Sequence, residues 1–210
     1  MRIDVLPVCR KVGVMTLIVS IQNSKGGVGK TTTAIHLAQA LSANYGVEVW
    51  DADPQGSASE WAAVCTEDGM PLPFEVLPAN VATLAKRTSA ADVVVIDTPP
   101  SNPTLLNAAS TRADVVIVPT APTPLDMARV WPTLDALGDK PVIVLLTHTN
   151  PRTVAYRAAR EALDGEGVAY FDAAIKGSEA LKAQGNTFPR KLFQYGDVAR
   201  ELMELTKEDH

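Results

Sequence analysis

Residues 17–33 read LIVSIQNSKGGVGKTTT, and the rest of the chain is organised around them. Leu17, Ile18, Val19 and Ile21 form an apolar run rich in β-branched residues, which breaks into a glycine turn and restarts at Lys30. Beyond it Ala34, Leu37, Ala38 and Leu41 recur at i, i+3, i+4 and i+7, the spacing of a helix with one apolar face. Strand, glycine loop, Lys-Thr and helix, in that order, is the layout of a phosphate-binding P-loop. Gly26, Gly27 and Gly29 carry no side chain to block an approaching phosphate, so backbone N–H groups from Gly26 through Thr32, Val28 included, can converge on one concavity. The positive end of the following helix adds partial charge at the same spot. Lys30 supplies a full cation, and Thr31 a hydroxyl suited to Mg²⁺.

One position departs from the common GxxxxGK[ST] pattern. Ser24 stands where the first glycine would be, and Lys25 follows it directly before Gly26. This KGGxGKTT form resembles the deviant Walker A box of the ParA/MinD class of ATPases. The resemblance implies that Lys25 is a signature lysine, reaching across a nucleotide-sandwich dimer to the partner's phosphates.

At 210 residues, 46% apolar and with a formal net charge of −5, the chain suits one α/β domain with a sizeable core. Neither disorder nor a fibrous class fits that composition. Cys9 and Cys65 sit in no metal or redox spacing. Iron proteins with a similar P-loop need cluster cysteines near their switch regions, where this chain has none. Arg10-Lys11 and the uncharged run Val12–Ser24 imitate a signal peptide, but the run is too short to span a bilayer and feeds into the phosphate loop. Residues 1–14 read either as a loose extension or as sequence upstream of a start at Met15. A P-loop domain is expected over 15–210.

Downstream, strands are expected at 47–50, 74–77 (an edge, given its flanking prolines), 93–96, 115–118, 142–146 and 168–171. Helices are expected at 57–65, 79–88, 103–112, 127–137 (with Pro132 a possible kink or early end), 153–164 and 195–207. Unbroken apolar strands such as Val93–Ile96 suit a sheet covered on both faces. The alternation predicts a doubly wound, mainly parallel α/β sheet flanked by helices, with ligands beyond the strands' carboxyl ends. The P-loop, Asp53 and Asp97 all fall at that edge.

Asp97, closing the run VVVID, is a Walker B aspartate by type and place, able to hold Mg²⁺ through water; a turn aspartate before Pro99 is the plainer alternative. Asp51 and Asp53 lie two apart at a strand end, so a continuing strand would point both to one side, where paired like charges favour a cation.

The resemblance extends over residues 16–207, through SKGGVGKTTT, DADPQG, VVVIDTPPS, VIVPTAPTPLD and LLTHTNPRT. The whole is similar to a small ParA-type partition ATPase. That likeness implies ATP and Mg²⁺ as ligands and catalysis by Lys25, Lys30 and Asp53. Asp53 would position the attacking water and also stand at the metal with Thr31 and Asp97; Asp51 would lie near the metal and phosphates. Asn150 and Arg152 would stand on the adenine side, with Pro122 and Pro124 stiffening a loop nearby. It further implies a homodimer in the ATP state, a small basic centromere-binding partner, non-specific DNA and a cytoplasmic, nucleoid-associated setting.

Other members of the wider P-loop class fit the sequence less well. A MinD-like regulator would need a basic amphipathic membrane helix, whereas the tail DVARELMELTKEDH is acid-rich and its Leu202 and Leu205 suit core contacts, so no membrane is expected. An arsenite-type pump would need a second P-loop, and a carboxysome-positioning relative often lacks the lysine present at position 25. A small-molecule ligase or kinase would need a substrate pocket for which the sequence carries no mark. For DNA, residues 151–210 hold nine Lys or Arg against ten Asp or Glu, the less acidic part of the chain. Lys176, Lys182, Arg190 and Lys191 are the candidate contacts, with an ordinary solvated surface as the alternative.

Overall fold

A computed structural model describes residues 16–206. The expectations for residues 1–14, Met15, Cys9 and Lys207 lie outside the described residues. The strands are β1 (Leu17–Ile21), β2 (Val47–Asp51), β3 (Glu75–Pro78), β4 (Val93–Asp97), β5 (Val115–Thr120) and β6 (Val142–Leu146). They form one six-stranded sheet in the order β3-β2-β4-β1-β5-β6, with every pairing parallel. The helices are α1 (Lys30–Leu41), α2 (Ser57–Glu67), α3 (Val81–Lys86), α4 (Pro103–Arg112), α5 (Pro124–Leu137), α6 (Val154–Gly165), α7 (Glu179–Lys182) and α8 (Tyr195–Leu205).

The two-residue period of the strands divides the core between the two faces. Leu17, Val19 and Ile21 pack with Ile35, Leu37, Trp61 and Leu202, so α1, α2 and α8 cover one face. Ile18, Val94 and Ile96 pack with Leu84, Leu105, Val130 and Leu163, so α3 to α6 cover the other. With both faces covered, nearly every strand residue must be apolar, as the continuous runs suggested. Leu202 is fully buried and Leu205 packs partly buried against the same core.

Register then places the chemistry. Ile21 lies opposite Asp97, and Asp97 opposite Asp51, so three neighbouring strands end level with one another. The glycine loop leaves β1, which lies beside β4.

Three expectations are corrected. Residues 168–171 are not a strand: the segment touches β6 only at the bridge Val144–Tyr170, and further on at Thr149–Lys176. Between these points the Glu201 carboxylate accepts the N–H groups of Asp172 and Ala173 at 2.8 and 2.9 Å, so a side chain takes the Ala173 N–H, the donor that would have continued a ladder after Phe171. Pro132 neither ends nor shortens α5; its missing bond falls at Ala128, which is exposed, where water can satisfy the carbonyl. Helix α3 is shorter than expected because a capping box between Asn80 and Thr83 starts it at Val81.

His36 is a buried polar anomaly in α1. It is fully inaccessible, neither ring nitrogen has a partner, and the rings of Trp61, Phe193 and Tyr195 surround it. Desolvation lowers its pKa from 6.5 to about 4. The folded state therefore resists a proton that the unfolded chain accepts. This histidine's contribution is fully present above pH 6.5 and is lost as pH falls towards 4, in all about 3 kcal/mol. His36→Leu is expected to flatten that part of the profile. Urea unfolding of both proteins at pH 7 and pH 5 would check it, and equal pH slopes would refute it.

Candidate functional site

The loop after β1 is held in place by its own chain. Asn23 is buried; its Nδ2 donates to the Pro119 carbonyl at 2.8 Å and its Oδ1 accepts the Lys25 N–H at 2.9 Å. The Val28 carbonyl accepts from Thr147 Oγ1 at 3.1 Å, tying the loop to the end of β6. Gly27 and Gly29 have φ of 77° and 89°, a region that a side chain would strain. Gly29 is the N-cap of α1, and no side chain caps that helix or places an acid in its first turn. By contrast α3 to α7 each have a side-chain cap. The N-terminus of α1 is thus left with donors for an anion.

Lys30 is almost fully buried at the helix start, and its Nζ donates to the Lys25 carbonyl across the loop at 3.0 Å. Desolvation lowers its pKa against the opposing attraction of Asp97 and Asp53. Thr31 Oγ1 donates to Asp97 Oδ2 at 2.7 Å, while Asp97 Oδ1 is buried with no partner. Desolvation pushes Asp97 up to about 7, with the Thr31 hydrogen bond opposing. A hydroxyl and an unsatisfied carboxylate oxygen beside an anion cradle suit a divalent cation held by few protein ligands. No cluster of three or more His, Cys, Asp or Glu ligands exists among the described residues, so an all-protein metal cage is not present there. The donor set fits Mg²⁺, which prefers water and phosphate for its other positions.

Asp51 and Asp53 divide their work. Asp51 stands beside Asp97 but is spent on the backbone: its Oδ2 accepts Ser59 N–H and Oγ at 2.8 and 2.7 Å, and its Oδ1 accepts the Asp53 N–H at 3.2 Å. It shapes the turn that carries Asp53 and stays close enough to Asp97 to act on its charge. Asp53 is half-buried and near enough to Lys30 to act on its charge.

Lys25 pairs within its own chain with Asp126, which closes the segment VIVPTAPTPLD and carries no signal of this role in the sequence. Burial alone would raise the Asp126 pKa, but hydrogen bonds from Lys25 and Thr123 outweigh it and hold the carboxyl low. Lys25 itself is half-exposed, with 45% of its side chain accessible.

A groove runs from Gly29 and Thr32 past Thr147, His148, Ile175, Ser178, Leu181 and Lys182 to Tyr195. Asn150 and Arg152 are exposed and do not line it; Asn150 Oδ1 instead closes a turn on the Arg152 N–H at 3.1 Å. The loop expected beside a nucleotide does approach the P-loop, but through Thr147 and His148. Lys182, grouped with the DNA candidates, opens onto this groove and pairs with Glu179 at 3.0 Å. Lys176, Arg190 and Lys191 are exposed.

The family model of the CobQ/CobB/MinD/ParA nucleotide binding domain matches residues 19–187. Over 202 residues the chain is 39% identical to the maintenance of carboxysome distribution protein A of Gloeobacter kilaueensis, covering 88% of this chain and 93% of that one. A shorter match, 40% over 82 residues, joins 38% of this chain to 31% of the chromosome partitioning protein ParA of Caulobacter vibrioides. Among solved structures, a candidate plasmid partition protein of Borrelia burgdorferi bound to AMPPNP superposes with a TM-score of 0.77 at 20% identity, covering 93% of this chain and all of that one. This last likeness is one of fold.

Proposed function

The chain belongs to the CobQ/CobB/MinD/ParA nucleotide-binding family, and on that premise we propose that it is a Mg²⁺-dependent ATP hydrolase working as an ATP-sandwich dimer. Its role is to partition DNA together with a small basic centromere-binding protein and non-specific DNA, as one P-loop domain over 15–210. The observation that carries the reading is the uncapped glycine loop bearing two lysines, Lys30 turned inward and Lys25 half-exposed beside it.

In this reading the loop N–H groups and Lys30 hold the β and γ phosphates. Thr31 and Asp97 would hold Mg²⁺, which supplies charge neutralisation at the phosphates when bound. Asp53, presented on the turn that Asp51 closes, orients the attacking water. Its oxygen bonds to the γ phosphorus as the bond to the bridging oxygen of ADP breaks. Lys25 leaves Asp126 and neutralises transition-state charge on the second copy. The base lies in the groove beside Thr147, His148 and Ile175. No helix among the described residues is long and apolar enough to cross a membrane, and the proposed setting is cytoplasmic, at the nucleoid.

A second reading, positioning of another large cargo, is favoured by the long match to a carboxysome distribution protein. Both readings use the same ATPase and differ in the partner.

Turnover measured with Mg²⁺ or EDTA, alone and with duplex DNA, tests the common core. Slow basal hydrolysis raised by DNA and a basic partner is expected, whereas fast hydrolysis without any macromolecule would favour a small-molecule ligase or kinase. Non-specific duplex should shift in a gel at low salt with ATP and not with ADP, and binding should fall steeply as salt releases the counterion advantage. Charge reversal at Arg190 and Lys191 is expected to abolish the shift. Its persistence would falsify this surface while leaving the ATPase intact.

A further inference from the structure

Trp61 lies on α2 and is buried, and a buried indole N–H needs an acceptor. It finds one far off in the chain: the indole donates to the Thr187 carbonyl at 2.8 Å, across 126 residues of sequence. Thr187 belongs to a wall of the groove. Leu181, Lys182 and Gly185 line that groove, and Thr187 closes the turn around Gly185, its N–H and Oγ1 both donating to the Gln184 carbonyl at 3.1 Å.

The other end of α2 is tied to Asp53. Ser59 donates its N–H and hydroxyl to Asp51 Oδ2, and Asp51 Oδ1 accepts the Asp53 N–H. The helix starts directly after the turn in which the Gly56 N–H donates to the Asp53 carbonyl at 2.8 Å. A shift of α2 therefore reaches Asp53 through bonded contacts. Aromatic packing stiffens the connection. The His36 ring of α1 meets Trp61 edge-on at 5.9 Å and Tyr195 edge-on at 5.2 Å, and stacks on Phe193 at 6.2 Å. Tyr195, which also lines the groove, shares a hydrogen bond with Thr33 of α1 at 3.2 Å. Close-packed rings pass on a displacement rather than absorb it.

We infer that Trp61 is a positioning residue for hydrolysis, joining the groove wall to the helix behind Asp53, so that a base seated in the groove orders the Asp53 turn. The inference rests on the hydrolase reading and on the base lying in that groove. A base fixes Leu181, Lys182 and Gly185 by contact, the turn at Thr187 carries this to the indole, and α2 carries it to Ser59, Asp51 and Asp53. Trp61 touches neither the base nor the water. Its effect is that a nucleotide with a base is hydrolysed faster than the same triphosphate without one.

The test uses the full chain in two arms. In the first, wild type and Trp61→Phe hydrolyse saturating ATP or ribose 5-triphosphate with Mg²⁺. The variant keeps an aromatic ring and loses the donor, and the exposed Thr187 can turn its carbonyl to water. On ATP its kcat is expected to fall about fivefold, the scale of one neutral hydrogen bond, with KM within about twofold of wild type. On ribose 5-triphosphate the two proteins should turn over alike. Equal loss on both substrates would mark a purely structural role and overturn the inference, as would no loss on either, or a raised KM at unchanged kcat. The second arm needs neither a variant nor hydrolysis. Amide hydrogen exchange of wild type is compared at saturating ADP and saturating pyrophosphate. With ADP, residues 53–62 and 178–187 are expected to exchange about tenfold more slowly than with pyrophosphate, while α3 on the other face of the sheet exchanges alike. Protection of 178–187 without 53–62 overturns the inference, and protection of neither removes the base from the groove as well. If Trp61→Phe does not fold, this arm decides alone. Wild type that leaves ATP intact overturns the hydrolase reading, and the exchange result then still decides whether the groove is coupled to the Asp53 turn.

Discussion

Lys30→Ala is expected to lose nucleotide binding by about a hundredfold or more, since one partner of a buried charged contact is removed outright. Lys30 is 7% exposed and nearly all of its surroundings are protein, so water cannot replace the lost ammonium. Lys25→Ala is expected to behave differently. Its ammonium sits half in solvent against Asp126, away from the cradle that Lys30 spans. ATP affinity should stay within a few-fold, while stimulated turnover falls by about a thousandfold, the scale of a cationic finger supplied in trans. Fluorescent-nucleotide titration and steady-state turnover on the two variants separate the roles. Equal loss of affinity in both would remove the trans role of Lys25.

Asp53→Ala is expected to arrest the protein as an ATP-bound dimer. The groups proposed to bind the phosphates lie on the loop and α1, and the turn carrying Asp53 is held by Asp51 and Ser59, so the fold and the binding site survive the change. The cost to the turn is one hydrogen bond, in which Asp53 Oδ1 accepts the Gln55 N–H at 2.9 Å, worth about 1 kcal/mol. The loss of water orientation should slow hydrolysis by about 10²-fold or more. Size-exclusion chromatography with ATP and Mg²⁺ should then show a lasting dimer. A variant that stays monomeric, or that turns over at the wild-type rate, defeats the assignment.

The sequence was most informative where local chemistry and local structure coincide. Helix α4 was expected at 103–112 and lies there because Asn102 caps it, Pro103 starts it and Ala113 turns extended at its end, all short-range effects. Strand β6 was placed correctly from its apolar run alone. The segment 168–171 differs for the opposite reason: its pattern is strand-like and the Phe171 N–H still reaches the Val144 carbonyl, but the N–H groups of Asp172 and Ala173 just beyond it go to Glu201, 29 residues from Asp172 in the sequence. Helix α7 was not anticipated, being a single turn held by the Ser178 cap.

The amino-acid sequence alone determined the alternation of strands and helices and the glycine loop with its two lysines, and it singled out Thr31 and Asp97, which the fold joins by a hydrogen bond. Each depends on residue type and spacing within a few positions, or on a strand end that an apolar run announces. Tertiary structure alone decided that Asp97 Oδ1 is left without a partner, that Asp51 is bonded to Ser59 and the Asp53 N–H, and that Lys25 pairs with Asp126. It also decided that the groove passes Thr147 and His148 rather than Asn150 and Arg152. These facts depend on which strands end level and which loops meet above them. The strand order β3-β2-β4-β1-β5-β6 brings together residues as far apart as Lys25 and Asp126, and contacts across 101 residues leave no periodic trace in a chain.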